Sequence, residues 1–253
     1  MEFANKLVER VGKEYLSYSS IKYALQDMRL WEMYMAGQLK KESDSLTFGS
    51  IYDCLLFEPE KFDERFFIFN DDEIIASIGG KNPRATKQYK EWKEGVMSGS
   101  TKKQLVSIDD HNMAVDMIIR LEECGLRDTY LSGDFQVEFN SFIGEVPVRG
   151  FLDVKNEHFI TDSKSTRSIS GFGRDVYTFG YDIQAFIYTS VFPGREYFWV
   201  AQEKSYPYLP ALVRASEETI QRGGRKFEDA VNRIQSYLMS DESTTSYFAE
   251  FVV

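Results

Sequence analysis

The sequence predicts a mixed α+β fold, a central β-sheet with an antiparallel meander flanked by helices and an N-terminal helical portion. Three observations predict it. Apolar residues recur at helical spacing through the first half. From Phe135 onward the texture changes to alternation, with Phe135, Val137 and Phe139 between polar neighbours, then Val146, Val148 and Leu152 at even spacings. Helical spacing and strands then alternate to the end of the chain.

Taken in order, Ser19 and Ser20 precede Ile21, Ala24, Leu25, Met28, Trp31 and Met35, which reads as one capped helix. Asn82-Pro83 starts a helix holding Tyr89 and Trp92, with Gly95 as its stop. A third helix runs from about Asp109 to Cys124, before Gly125. Turn residues at Gly144-Glu145 and Asn156-Glu157 divide residues 133–164 into a three-stranded meander. A long helix follows from about Arg174 to Val191, then strands Tyr197–Gln202 and Leu209–Arg214. The last helix carries Ile220, Phe227, Val231, Ile234 and Leu238. The expected organisation is a single domain over 1–253, mainly helical to residue 130 and with its core from 131 onward.

Composition limits the function classes. No apolar run is long enough for a transmembrane helix, and MEFANKLVER lacks the layout of a signal peptide. Two cysteines, Cys54 and Cys124, make neither a disulfide framework nor a four-cysteine metal site, so a soluble cytoplasmic protein is expected. A net charge of −10 argues against a protein that coats nucleic acid through many phosphate contacts. It leaves room for a nuclease with a local basic groove. The segment Lys81–Lys103, rich in lysine, is either such a patch or a solvated helix face.

Chemistry concentrates in FITDSKST, Phe159–Thr166. Asp162 and Lys164 leave a strand on the same side, and a short hairpin brings Asp153 near them. Two close carboxylates repel unless a proton or cation lies between them. Their hard oxygens suit Mg²⁺ or Mn²⁺. With a lysine beside that cation, the set makes sense for hydrolysis of a phosphodiester. On its own a D-x-K pair in a strand is very common and is more often a solvated charge pair. On the next helix Tyr177, Tyr181, Gln184 and Tyr188 share a face by spacings of four, three and four. That face either reaches the site or rims an ordinary core helix.

Together these residues resemble the PD-(D/E)XK nuclease signature, more narrowly the RecE-like, RecB-type exonucleases of phages and prophages. The resemblance covers most of the chain. Leu16–Lys22 resembles the family's opening motif, and Phe48–Glu60 its glycine-to-LLEP helix. Gly150–Asp153 is similar to its G-x-x-D step, Gly180–Tyr188 to its Q-x-x-x-Y helix, and Gln202–Tyr208 to its EK-x-x-P turn. The resemblance implies a restriction-endonuclease-like core. It implies Asp153, Asp162 and the Ser163 carbonyl as ligands of Mg²⁺ or Mn²⁺, with Glu138 completing a second metal site. Lys164 would activate or position water, and Gln184 and Tyr188 would contact DNA or order the site. Asp53 stands where several members have a metal-approaching histidine, and His111 and His158 match no family position. The implied activity is an exonuclease on linear double-stranded DNA ends, making single strands for recombination beside a single-strand annealing protein. Relatives assemble into rings, so a homo-oligomer is an expected form. The competing readings are an endonuclease on the same fold and a catalytically inactive DNA-binding scaffold.

Overall fold

The structure, a computed structural model, describes residues 2–39, 44–99 and 103–240, and of 44–47, 71 and 96–99 only the backbone. The chain forms two compact units. The first contains Met1–Lys41, Leu126–Glu203 and Pro210–Val253, and the second Glu42–Gly125 with Lys204–Leu209. The first residues of the chain therefore belong with the meander, not with the rest of the N-terminal half.

The first unit opens with α1 (Glu2–Val11), β1 (Leu16–Ser17), α2 (Tyr18–Gln26) and α3 (Met28–Met35). The second unit holds α4 (Asp44–Phe57), α5 (Phe62–Arg65), β2 (Phe66–Phe69), α6 (Asp71–Ile78), α7 (Lys87–Gly99), β3 (Gln104–Ser107) and α8 (Ile108–Glu123). The chain then returns to the first unit with α9 (Leu126–Tyr130), β4 (Asp134–Ile143), β5 (Val146–Lys155) and β6 (Phe159–Thr166). It finishes with α10 (Ile169–Thr178), α11 (Tyr181–Val191), β7 (Glu196–Glu203), β8 (Pro210–Arg214) and α12 (Glu217–Met239).

Three expected helices differ from the structure. The helix after Ser19-Ser20 is two helices, because Asp27 takes an extended φ of −166° and caps α3 through its carboxylate. The cap of α2 is Ser17: its hydroxyl accepts from the Ser20 amide, while the Ser20 hydroxyl accepts from the Ser17 amide. The stretch from Arg174 to Val191 is also broken, at Gly180, whose φ of 77° is left-handed and open to glycine. Tyr177 therefore sits on α10, apart from Tyr181, Gln184 and Tyr188 on α11. In the second unit Gly95 lies inside α7 and does not end it. Of the basic segment, Lys87 pairs with Glu91 at 3.4 Å, and Lys102 lies outside the described residues.

The sheet of the first unit has six strands. Parallel β6 and β7 form its centre, paired from Phe159–Glu196 to Thr166–Glu203, and β8 runs antiparallel to β7. Antiparallel β4 occupies one edge of β5 along its length. The other edge is shared: parallel β1 takes Val148 and Arg149, and β6 takes Val154 and Lys155. Between these registers, Gly150–Asp153 has no strand on that edge. The sheet forks there, and the fork positions the site.

The β5–β6 turn is fixed by Asn156, whose side-chain oxygen accepts from the amides of His158 and Phe159 at 2.8 and 2.9 Å. Inward residues Val148, Leu152, Tyr197, Trp199 and Ala201 join Ile183, Ile187, Tyr188, Phe227 and Ile234 of α11 and α12 in one core. Burying one such side chain stabilises the unit by about 1.5–3 kcal/mol. Gly223 lets α12 approach α11: a Cβ there would lie 1.9 Å from the Asp182 carbonyl. The second unit has its own core, with α4 packed on α8 and a parallel β2–β3 pair. Among the described residues no helix is long and apolar enough to cross a membrane.

Candidate active site

The fork is lined by the residues that the alternation selects. Asp153 is the last β5 residue before the ladder to β6 resumes at Val154–Thr161. Its Oδ2 accepts from the Ser163 amide at 2.9 Å, so the carboxylate stands in for the backbone partner that the divergence removes. Gln136 donates to Asp153 Oδ1 at 3.4 Å from a β4 position with a positive φ of 48°. Val137 pairs with Leu152 and Phe135 with Val154, leaving Gln136 out of the regular register beside Asp153.

Asp162, on β6, is 1% exposed. One oxygen makes an ion pair with the Lys164 ammonium. The other accepts from Gln184 Nε2 at 2.8 Å. The same nitrogen donates to the Tyr188 hydroxyl at 3.2 Å, and that hydroxyl donates to the Phe151 carbonyl at 2.8 Å. The carbonyl belongs to the part of β5 that has no strand on the fork edge, and α11 supplies its partner. A chain of hydrogen bonds thus runs from Asp162 through Gln184 and Tyr188 to the strand bearing Asp153.

Gly150 has a physical reason here. A Cβ at this position would meet the Phe139 ring at 2.8 Å and the Tyr188 ring at 2.9 Å. The absent side chain is what lets Tyr188 reach β5.

Electrostatics follow from burial. Loss of water, and then the neighbouring Asp162 charge, push the Asp153 carboxyl up to about 7. Burial also raises Asp162, although Lys164 and Gln184 oppose the shift. For Lys164 burial works against the charge, but Asp162 and Asp153 outweigh it and hold the ammonium well above its usual range. The lysine is therefore a fixed cation. Its ammonium also lies 5.2 Å from the Tyr181 ring centroid and 3.4 Å from the Ser163 carbonyl.

The residues fit a hard divalent cation. Asp153 and Asp162 hold more negative charge than the pocket solvates, so the pair takes up either a proton or a cation. Among the described residues the buried Gln184 side-chain oxygen and Ser163 hydroxyl find no hydrogen-bond partner. Mg²⁺ is commonly held by one or two carboxylates with water and phosphate oxygens completing its shell. Among the described residues no group of three or more His, Cys, Asp or Glu side chains is arranged to hold a metal.

The structure thus brings together Asp153, Asp162, Lys164, Gln184 and Tyr188, with the Ser163 carbonyl beside the lysine. It does not gather Glu138 into a three-carboxylate group. Glu138 is exposed on β4, opposite Phe151. Asp53 lies on α4 of the second unit. His158 is exposed in the β5–β6 turn, and His111, in the second unit, faces Phe62. Sequence reasoning missed Gln136. Its left-handed backbone leaves no trace in the alternation of Phe135, Val137 and Phe139.

A model of a family described as a PDDEXK-like domain of unknown function, DUF3799, matches residues 17–247. PDDEXK nucleases generally use divalent metal ions. The crystal structure of a "Putative exonuclease" from Eubacterium rectale is similar, with a TM-score of 0.63 at 17% identity, covering 95% of this chain and 91% of that one. That likeness is one of fold. The crystal structure of SSO0001 aligns at 15% identity over 72% of this chain and 86% of that one, with a TM-score of only 0.29. Among curated proteins none matches the sequence.

Proposed function

The chain belongs to the PDDEXK-like family DUF3799, and on the geometry of the fork we propose that it is a metal-dependent deoxyribonuclease. The observation that carries the reading is the meeting of Asp153 and Asp162 at the fork, with the Lys164 ammonium on Asp162 and Gln184 behind it. A structural ion pair needs one carboxylate and one cation. A second buried carboxylate is costly without a ligand to share it.

Asp153 and Asp162 would hold Mg²⁺ or Mn²⁺, with the Ser163 carbonyl as a further oxygen. The ion, when bound, supplies charge that polarises a phosphate oxygen and acidifies water. Hydrolysis adds the water oxygen to phosphorus and breaks one P–O ester bond. One water proton ends on the departing oxygen, the other in solvent. Lys164 stays protonated, so it acts by charge: it orients water and stabilises the negative phosphoryl oxygens. Gln184 fixes the Asp162 carboxylate, and Tyr188 ties that helix to β5.

The finer reading is an exonuclease acting on linear duplex DNA ends to leave single strands for recombination, with an annealing protein and a ring-forming homo-oligomer as its setting. Support comes from the ordered motifs shared with RecE-like exonucleases and from the fold shared with the E. rectale protein. Roles for Glu138 and Asp53 as further metal oxygens belong to the same proposal. The test is incubation of the purified protein with linear and covalently closed circular DNA in Mg²⁺, Mn²⁺ or EDTA. Metal-dependent loss of linear DNA alone is expected. Cutting of closed circles would replace the exonuclease with an endonuclease, and binding without cleavage in any metal would replace both with a scaffold.

A further inference from the structure

Arg149, Phe151 and Asp153 occupy alternate positions of β5, so their side chains leave the sheet on one side. Neighbours in this row are about 6.6 Å apart along the strand. The apolar packing of β5 is made on the other side, by Val148, Leu152 and Val154. Phe151 is 48% exposed, and among the described residues its ring contacts no other aromatic ring. An isolated exposed phenylalanine is ordinary on a protein surface. Two further facts make this one specific.

First, Phe151 is held in place by the site itself. Its carbonyl accepts from Tyr188, Tyr188 accepts from Gln184, and Gln184 donates to Asp162. Any motion of the ring's backbone would disturb the aspartate pair. Second, the charges around the ring alternate in kind. Glu138 stands opposite Phe151 on β4 and repels a phosphate at that point, so the group suited to the ring face is uncharged. Arg149, one position further along the row, opens into a cavity of about 660 Å³ that Lys13, Tyr15, Ser17 and Tyr34 also line. Among the described residues Glu14 is the one carboxylate that lines the cavity, against the two cations. A planar neutral group over Phe151, joined to anionic groups toward Arg149 and away from Glu138, is the pattern of a nucleotide strand.

We propose that Phe151 is a stacking platform for an unpaired base of the cleaved strand, next to the scissile phosphate, with the adjoining phosphate drawn toward Arg149 and Lys13. The inference rests on the nuclease reading and adds the residue that positions the strand. Stacking on an aromatic ring is tolerant of sequence, since each base offers a π-face. Phe151 therefore sets register without selecting a base.

The test is binding of short oligodeoxynucleotides in EDTA, single-stranded and annealed to give a duplex end, each set carrying one abasic site moved along the strand. For the natural protein one abasic position is expected to weaken binding about five- to hundredfold, the range for loss of one stacked base. In Phe151→Ala that position should cost nothing further, while Phe151→Tyr should keep the dependence. Thermal melts of both variants should match the parent, because the ring is exposed. The same abasic dependence in Phe151→Ala as in the parent would overturn the inference alone, as would a parent that binds DNA with no abasic dependence. Absence of DNA binding by every form, together with absence of metal-dependent cleavage, would overturn the nuclease reading with it.

Discussion

Replacing Lys164 by alanine should cost stability as well as activity, and the cost should depend on pH in a defined direction. The ammonium neutralises Asp162, a carboxylate that is 1% exposed and keeps only the Gln184 hydrogen bond once the lysine is gone. Removing one partner of a buried ion pair destabilises a protein by about 3–5 kcal/mol. Protonation of Asp162 limits the loss, so we expect about 3 kcal/mol at neutral pH, or roughly 6–12 °C in Tm for a protein of this size. The carboxyl pKa is already raised in the folded protein and rises further without the lysine. A group raised on folding contributes stability that is fully present below its unfolded pKa and lost as pH rises through its folded pKa. The variant should therefore approach the natural protein in stability as pH falls toward the usual carboxylate range, and diverge as pH rises. Adding Asp162→Asn to Lys164→Ala should restore part of the loss at neutral pH, since no buried charge then remains. Denaturant melts across pH measure both effects. A Lys164→Ala protein as stable as the parent at neutral pH, with the same pH slope, would refute the description of Asp162 as a buried charge held by Lys164.

Gly150→Ala would set a methyl 2.8 Å from the Phe139 ring and 2.9 Å from the Tyr188 ring, both buried; overpacking of about 1–3 kcal/mol is expected by denaturant melt. Gly223→Ala meets backbone at 1.9 Å, the Asp182 carbonyl, so α11 and α12 must part and the loss should exceed that of Gly150→Ala in the same assay. Divalent ions must displace the proton that the aspartate pair favours, with the Asp153 carboxyl pushed up to about 7. The rise in Tm on adding Mg²⁺ should thus be small well below pH 7 and large well above it, and Asp153→Asn should abolish that dependence.

The first two strands of the meander were legible because apolar and polar residues alternate along them with Gly144 marking the turn between, and the third, buried on both faces from Ile160 to Ser163, because Asn156 marks the turn before it. The helix breaks were not. Apolar spacing runs through both Asp27 and Gly180, and only the backbone shows the extended φ at one and the left-handed φ at the other. β1 is two residues long and owes its existence to β5, more than a hundred residues later, so no local signal could reveal it. At the site, alternation placed Asp162 with Lys164, the hairpin brought Asp153 near, and the four-residue step from Gln184 to Tyr188 put both on one face. What the sequence could not show is the fork. It depends on two strands sharing one edge of β5, and it explains why Asp153 accepts from the Ser163 amide, why Tyr188 donates to the Phe151 carbonyl, and why Gly150 has no side chain. Asp53 and Glu138 illustrate the opposite limit. Motif order proposes them as metal oxygens, and the described geometry does not bring Glu138 into a three-carboxylate group.

The central claim is that Asp153, Asp162 and Lys164 form one metal-dependent hydrolytic centre for DNA. Single-turnover cleavage of a linear duplex in Mg²⁺ tests it most directly, comparing the natural protein with Asp153→Asn, Asp162→Asn and Lys164→Ala, each checked for folding by melt and for DNA binding in EDTA. We predict cleavage that EDTA stops and that each substitution lowers about 10²-fold or more, with DNA binding retained. Cleavage at the natural rate by all three folded variants, or equal cleavage in EDTA, would contradict it.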